Sequence, residues 1–129
     1  MSDSPPADVD APPAIDPAAI LSRVAGDMDL LRQVVRVFQQ ETPGRLAEIR
    51  AALSRGDGPT LQHAAHRLKG ALATLAAGPA SAAAAVLEQL GRAGNLPEAT
   101  AAYGTLEREL GRLAPTLAAL VADGDAASP

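Results

Sequence analysis

The sequence predicts an all-α protein, an antiparallel up-down four-helix bundle with a short extra helix at its N-terminus. Its 129 residues suffice for one packed core, and Phe38 and Tyr103 are its only aromatic residues. A core must therefore come from Leu, Val and Ala, which favours closely packed helices over a sheet. Apolar residues also recur at helical spacing, in segments separated by short breaks that contain Gly and Pro.

The N-terminal half of the bundle contains the short helix and the first long one. Asp16 is predicted to cap a helix that ends near Ala25, and Asp27 to cap a second helix that ends near Arg55. Pro43 removes one backbone donor from the second helix, so we expect a kink there rather than a break. The apolar stripe keeps its phase across this proline: Leu31, Val34, Val35, Phe38, Leu46, Ile49 and Leu53.

Three further helices are predicted over residues 59–76, 80–93 and 97–121. The third helix carries leucine and alanine at 4-3-4-3 spacing, the seam of an antiparallel bundle: Leu61, Ala65, Leu68, Leu72 and Leu75. The fourth helix is predicted to bury Ala83, Val86, Leu87 and Leu90. Short connections make neighbouring helices antiparallel.

Composition bounds the domain organisation and the partners. Residues 1–15 and 122–129 are predicted to be disordered tails, which leaves residues 16–121 as the bundle. The net charge of −4 and the absence of a basic run argue against nucleic acid as a partner. The chain has no cysteine and no apolar run of the roughly 20 residues that a membrane span needs, and its first 13 residues lack the basic and apolar regions of a signal peptide. We therefore expect a cytoplasmic protein that does not bind membranes.

The third helix carries the residues that are most suggestive of chemistry: His66, Lys69 and Gly70. With the leucine seam at zero on a helical wheel, His66 lies about 140° away and Gly70 about 180° away. Lys69 lies near 80°, at the flank of the same face. An imidazole titrates near neutral pH, and its neutral form has one nucleophilic nitrogen. It could accept a phosphoryl group, Lys69 could neutralise the charge, and the missing side chain of Gly70 would allow close approach.

The surroundings of His66 supply candidate partner contacts: Gln62, His63, Arg67, Ala73 and Arg92. His63 lies on the same exposed side, but Arg67 rather than a glycine follows it at i+4. Two histidines three residues apart need further ligands to hold a metal ion, and the third helix has no acidic residue. We therefore expect no metal site. An ordinary solvated histidine is the alternative interpretation of His66 from its residue type alone.

The segment Ala65-His66-Arg67-Leu68-Lys69-Gly70, followed by Leu75-Ala76-Ala77, resembles the histidine-phosphotransfer (HPt) domains of bacterial phosphorelays. Their signature is close to H-x-L-K-G followed by a Leu-Gly-Ala-like segment. The resemblance extends to Phe38, Pro43 and Leu46 upstream, and to Leu87-Glu88 and Arg92-Ala93-Gly94 downstream. Three positions depart from the family pattern: Ala71, Thr74 and Ala76 stand where Ser, Asn and Gly are usual.

The resemblance implies a concrete function. His66 would be the phosphoacceptor, Lys69 would stabilise the phosphoryl group, and Gly70 would give access. Partners would be receiver domains of response regulators or a hybrid histidine kinase, and the Mg²⁺ ion would belong to the receiver. The chain would be a monomer without a cofactor of its own and without kinase activity.

Three other classes of function remain as alternatives. The first is an HPt-fold adaptor that binds a receiver or kinase without accepting phosphate. The second is the phosphoacceptor region of a histidine kinase, which carries an acidic residue directly after the histidine, where this chain has Arg67. The third is a metal-dependent hydrolase, for which no carboxylate–histidine spacing in the sequence is suitable.

Overall fold

The computed structural model describes residues 13–126, which form five helices and no strand. These are α1 (Pro17–Arg23), α2 (Met28–Arg55), α3 (Gly58–Thr74), α4 (Gly78–Ala93) and α5 (Leu96–Ala126). The long helices pack in a ring, α2 on α3, α3 on α4, α4 on α5 and α5 on α2, while α1 packs against α2. The predicted four-helix bundle with a short extra N-terminal helix is confirmed.

Aspartate side chains begin three of the helices. Asp16 accepts a hydrogen bond from the Ala19 backbone N–H at 3.1 Å, and Asp27 accepts one from that of Leu30 at 3.0 Å. Asp57 caps α3 in the same way. Each carboxylate satisfies a backbone donor that has no partner within the helix, and its negative charge suits the positive end of the helix dipole.

The helix bounds differ from the predicted ones at several places, and α1 already ends at Arg23 rather than near Ala25. The third helix ends at Thr74 rather than at residue 76, and α4 begins at Gly78 rather than at residue 80. Pro79 accounts for the early start of α4, because proline suits the first turn of a helix. The helix α2 runs through Pro43 as predicted.

The two predicted tails are shorter than expected where the structure describes them. Ile15, which the sequence predicts to lie in the N-terminal tail, is buried in the core. The last helix continues to Ala126, because each added helical residue gains a backbone hydrogen bond once the helix is formed. Residues 1–12 and 127–129 of the predicted tails lie outside the described residues.

The core follows the predicted seam. Leu61, Ala65, Leu68, Leu72 and Leu75 are all at most 1% exposed. One assignment in α4 is wrong: Val86 is half exposed, whereas Glu88 is buried. The inward face of α4 consists mainly of small residues, Ala80, Ala83, Ala84 and Gly91, together with Leu87 and Glu88.

Two glycines bring the backbones of α3 and α4 into direct contact. A Cβ atom on Gly91 would lie 2.8 Å from the backbone nitrogen of Gln62, and one on Gly58 would lie 2.7 Å from the carbonyl oxygen of Gly91. Only glycine allows this approach. The crossing lies one turn from Glu88 along α4, so it sets the distance between Glu88 and the α3 residues opposite.

We expect Gly91→Ala to lower the free energy of unfolding by about 1–3 kcal/mol, because the added methyl group must push two backbones apart. The matched control is Gly111→Ala on α5, where a Cβ would meet nothing within 4 Å. That control should raise stability by about 0.5–1 kcal/mol, because alanine favours the helix. Urea denaturation of both variants checks this, and a Gly91→Ala variant as stable as the wild type would contradict the close crossing.

The turn between α3 and α4 contains a strained residue. Ala76 has a φ of +55°, a left-handed conformation that costs an L-residue with a side chain roughly 1–2 kcal/mol. Its carbonyl oxygen accepts a hydrogen bond from the Asp16 backbone N–H at 3.0 Å, which ties α1 to this turn. The structure therefore explains why glycine would suit a position where this chain has alanine.

Ala76→Gly should raise the free energy of unfolding by about 0.5–1 kcal/mol. The substitution relieves the backbone strain of the folded state, and this gain is partly offset because glycine increases the conformational entropy of the unfolded chain. Ala47→Gly is the control, since Ala47 is an exposed residue inside α2. That change should cost about 1 kcal/mol. Thermal unfolding distinguishes the two, and destabilisation by both substitutions to the same extent would refute the strain at Ala76.

Candidate functional site

His66 lies on the outer face of α3, and its side chain is 61% exposed. Its Nδ1 atom is 2.9 Å from Oε2 of Glu88 on α4. An ionised carboxylate can only accept hydrogen bonds, so the ring donates from Nδ1. Nε2 is then the ring nitrogen whose lone pair is available for reaction. The α4 carboxylate therefore selects the nucleophilic nitrogen of His66 and orients the ring.

Glu88 is the buried charge of the site. It is 6% exposed, and its Oε1 atom is 2.7 Å from Nζ of Lys69. The hydrogen bond from Lys69 lowers the pKa of Glu88, burial acts in the opposite direction, and the hydrogen bond from His66 lowers it further. The net pKa lies below the ordinary value for a carboxyl group, so Glu88 is ionised at neutral pH.

Lys69 and Gly70 occupy the positions that the sequence predicted around His66. Lys69 lies at the flank of the exposed face, one third exposed, and its ammonium group is paired with Glu88. Gly70 is exposed, and a Cβ added to it would meet nothing within 4 Å. Packing within the described part of the chain therefore does not require a glycine at this position. The face of α3 at Gly70 is open to a partner.

Most of the predicted contact residues line a groove of about 360 Å³ beside the histidine. It is lined by Pro59, Gln62, His63, His66, Glu88 and Arg92. Thus the structure brings Gln62, His63 and Arg92 together with His66, as the sequence suggested. The Arg92 guanidinium also lies 3.6 Å from Oε2 of Glu88.

Two predicted contact residues lie apart from this groove. Arg67 pairs with Glu48 of α2, so its side chain extends along the α2–α3 face. Ala73 lines a second, open groove of about 810 Å³ between α1 and the α3–α4 turn. Its carbonyl oxygen accepts a 2.7 Å hydrogen bond from Arg23 of α1. Both could meet a large partner only at the margin of a surface centred on His66.

Glu88 is the residue of the site that sequence reasoning missed. The available signal was a single carboxylate next to Leu87 on the inward stripe of a helix predicted to neighbour the histidine helix. A buried carboxylate needs cationic or hydrogen-bonding partners, and Lys69 and His66 were the candidates nearby. Because Val86 is predicted to face inward, this signal could not be recognised from the sequence.

Neither a metal-binding cluster nor a membrane-spanning helix is found among residues 13–126. These residues contain no group of three or more His, Asp or Glu side chains placed to hold a metal ion. None of the described helices combines the length and the apolar character required to cross a membrane.

The fold and the site together define a class of protein, a helical bundle that presents a carboxylate-bound histidine on an open helix face. The chain belongs to the Hpt domain family, whose model matches residues 33–116. Its structure is similar to the crystal structure of histidine-containing phosphotransfer protein B (HptB) from Pseudomonas aeruginosa PAO1. The two share 27% sequence identity and a TM-score of 0.71, over 86% of this chain and 90% of the other.

No curated protein shows significant sequence similarity to the chain. The predicted family is thus confirmed, and the chain has a histidine-phosphotransfer role in two-component signalling.

Proposed function

We propose that the chain is a phosphorelay intermediate that accepts a phosphoryl group on His66 and passes it to a second protein. The donor would be the aspartyl phosphate of a receiver domain, and the acceptor an aspartate of another receiver. The observation that carries the proposal is the 2.9 Å contact between His66 Nδ1 and Glu88 Oε2. It keeps the hydrogen on Nδ1 and leaves Nε2 as the nucleophile.

In the transfer step, the Nε2 lone pair forms a bond to phosphorus as the bond from phosphorus to the aspartyl oxygen breaks. The electron pair of that bond leaves with the aspartate, which becomes a carboxylate. The ring gains positive charge, and Glu88 stabilises it through the Nδ1 hydrogen bond. Transfer to the next receiver is the reverse of this step at a second aspartate.

The other residues of the site support this step in the proposal. Lys69 neutralises charge on the transferred group, since phosphoryl transfer depends mainly on positioning and charge neutralisation. The open face at Gly70 admits the partner, while Gln62, His63 and Arg92 contact it around the groove, with Arg67 and Ala73 at the margin. The Mg²⁺ ion belongs to the receiver, and a hybrid histidine kinase is the source of such a receiver. The chain acts as a monomer in the cytoplasm.

Phosphotransfer profiling tests the proposal. The full chain is incubated with candidate receiver domains carrying a radiolabelled aspartyl phosphate. We expect label on this chain that is labile in acid and stable in base, as for a phosphohistidine, and its return to a second receiver. Binding to a receiver without label on the chain, for every receiver that is competent in transfer to another HPt protein, would instead support the adaptor function.

A further inference from the structure

Three cationic or hydrogen-donating groups surround Glu88 at unequal distances. Nζ of Lys69 is 2.7 Å from Oε1, and Nδ1 of His66 is 2.9 Å from Oε2. The Arg92 guanidinium lies 3.6 Å from Oε2, which exceeds the length of a hydrogen bond. Arg92 follows Glu88 by four residues on α4, so the two side chains share one face of the helix. Arg92 is thus close to Glu88 without being its main partner.

Phosphorylation of His66 would add a second negatively charged group that competes with Glu88 for the ammonium of Lys69. The two ring nitrogens lie on opposite edges of the imidazole, so a phosphoryl group on Nε2 points away from the carboxylate bound at Nδ1. That group carries about −1.5 to −2 charges at neutral pH. The ammonium of Lys69 is attracted to the phosphoryl oxygens, and any turn of the group towards them weakens its hydrogen bond to Oε1 of Glu88.

The departure of Lys69 would leave Glu88 as a buried carboxylate with His66 alone as its partner. A buried charge that loses its partner is strongly destabilising. Arg92 is the other cation within 4 Å of Glu88 among the described residues, and 62% of its side chain is exposed and therefore has room to move. A change of side-chain torsion would bring its guanidinium within hydrogen-bonding distance.

From this geometry we propose that Arg92 replaces Lys69 on Glu88 when His66 is phosphorylated, which releases Lys69 to the phosphoryl group. Arg92 is then a positioning residue, because it acts on the phosphoryl group through Glu88 and Lys69. The inference rests on the proposed function and adds a second cation to it. It also explains why an exposed arginine lies beside a carboxylate that already has two partners.

NMR spectroscopy of the full chain tests the exchange directly. Phosphoramidate supplies the phosphoryl group: Nε2 bonds to phosphorus, the phosphorus–nitrogen bond of the donor breaks, and ammonia leaves. In the unphosphorylated protein, Arg92→Ala should leave the signals of the His66 ring and the Glu88 carboxyl carbon almost unchanged. On phosphorylation of the wild type, the Lys69 ammonium signal should move, and the Arg92 guanidinium hydrogens should become protected from exchange with water.

An equilibrium measurement provides the second readout. With a receiver that exchanges phosphate with the wild type, Arg92→Ala should lower the ratio of phosphorylated His66 to phosphorylated receiver by about threefold to tenfold. Arg92→Lys should restore part of the loss, and the control Arg108→Ala on α5 should have no effect.

The outcomes separate this inference from the proposed function. If His66 accepts phosphate but the Arg92 signals and the equilibrium ratio are unaffected, the exchange is refuted and the proposed function stands. Through-bond coupling of the Arg92 guanidinium to phosphorus would also refute it, since Arg92 would then contact the phosphoryl group rather than Glu88. If neither phosphoramidate nor a competent receiver phosphorylates His66, both proposals fail.

Discussion

Replacing His66 by glutamine should abolish phosphoryl acceptance from a labelled receiver, whereas the same substitution at His63 should leave most of it. His66 provides the only Nε2 in this groove whose ring is oriented by a hydrogen bond to Glu88, among the contacts that the structure describes. Glutamine offers no nucleophilic nitrogen, so the label falls to background. His63 lines the same groove and is exposed, which makes His63→Gln a closely matched control.

Both variants should fold as the wild type does, because neither side chain belongs to the core. Helical content and the urea midpoint check this before any comparison of label. Label that persists on His66→Gln would assign the acceptor to another residue. Loss of label on His63→Gln alone would assign it to His63.

The second large effect is expected at Glu88. Glu88→Ala should slow phosphotransfer by about 10- to 100-fold, because the ring of His66 loses the contact that orients it and fixes its tautomer. Glu88→Gln should fall between the wild type and Glu88→Ala, since the amide oxygen still accepts the Nδ1 hydrogen bond but carries no charge. Single-turnover transfer from a labelled receiver gives these rates.

Glu109→Ala is the control for the loss of a carboxylate. Glu109 pairs with Arg112 at 2.7 Å on α5, away from the groove. Its replacement should leave the rate within about twofold of the wild type, the usual scale for a pair that is not in contact with the reacting atoms. Equal rates for Glu88→Ala and the wild type would show that the hydrogen bond does not position the ring.

The lowered pKa of Glu88 also predicts a pH dependence of stability. A carboxyl group whose pKa is lower in the folded state stabilises that state at pH values above its unfolded pKa. The unfolded value is the ordinary one of 4.5, and the stabilisation is lost as the pH falls through the folded pKa. The stability difference between the wild type and Glu88→Gln should therefore shrink over the acid range, from the unfolded value of 4.5 downward through the folded pKa. A difference that is constant over this range would contradict the lowered pKa.

The sequence predicted the bundle and the histidine face because both depend on clear periodicity. In α3, five apolar residues at 4-3-4-3 spacing fix the phase of the helix, so the outward position of His66 and Gly70 follows. Aspartate caps and glycine-containing breaks located the helix starts to within about two residues. The HPt signature then identified the family from a short segment of this face.

The phase of α4 could not be predicted in the same way. Its first half is rich in alanine, which fits either a buried or an exposed face, so the sequence predicts Val86 inside and gives Glu88 no role beyond its place in the family resemblance. The observed phase depends on the close crossing at Gly58 and Gly91, a tertiary contact that helical periodicity does not encode. The interaction of Lys69 with Glu88 depends on that phase and was missed with it.

The proposed function depends most on Glu88, which holds the hydrogen of His66 on Nδ1 and so would make Nε2 the phosphoacceptor. The most direct measurement is a long-range ¹H–¹⁵N correlation spectrum of the His66 ring after phosphorylation. We expect phosphorus bonded to Nε2, with a hydrogen on Nδ1 that exchanges slowly with water in the wild type and rapidly in Glu88→Ala. Phosphorus bonded to Nδ1 of His66 would contradict it.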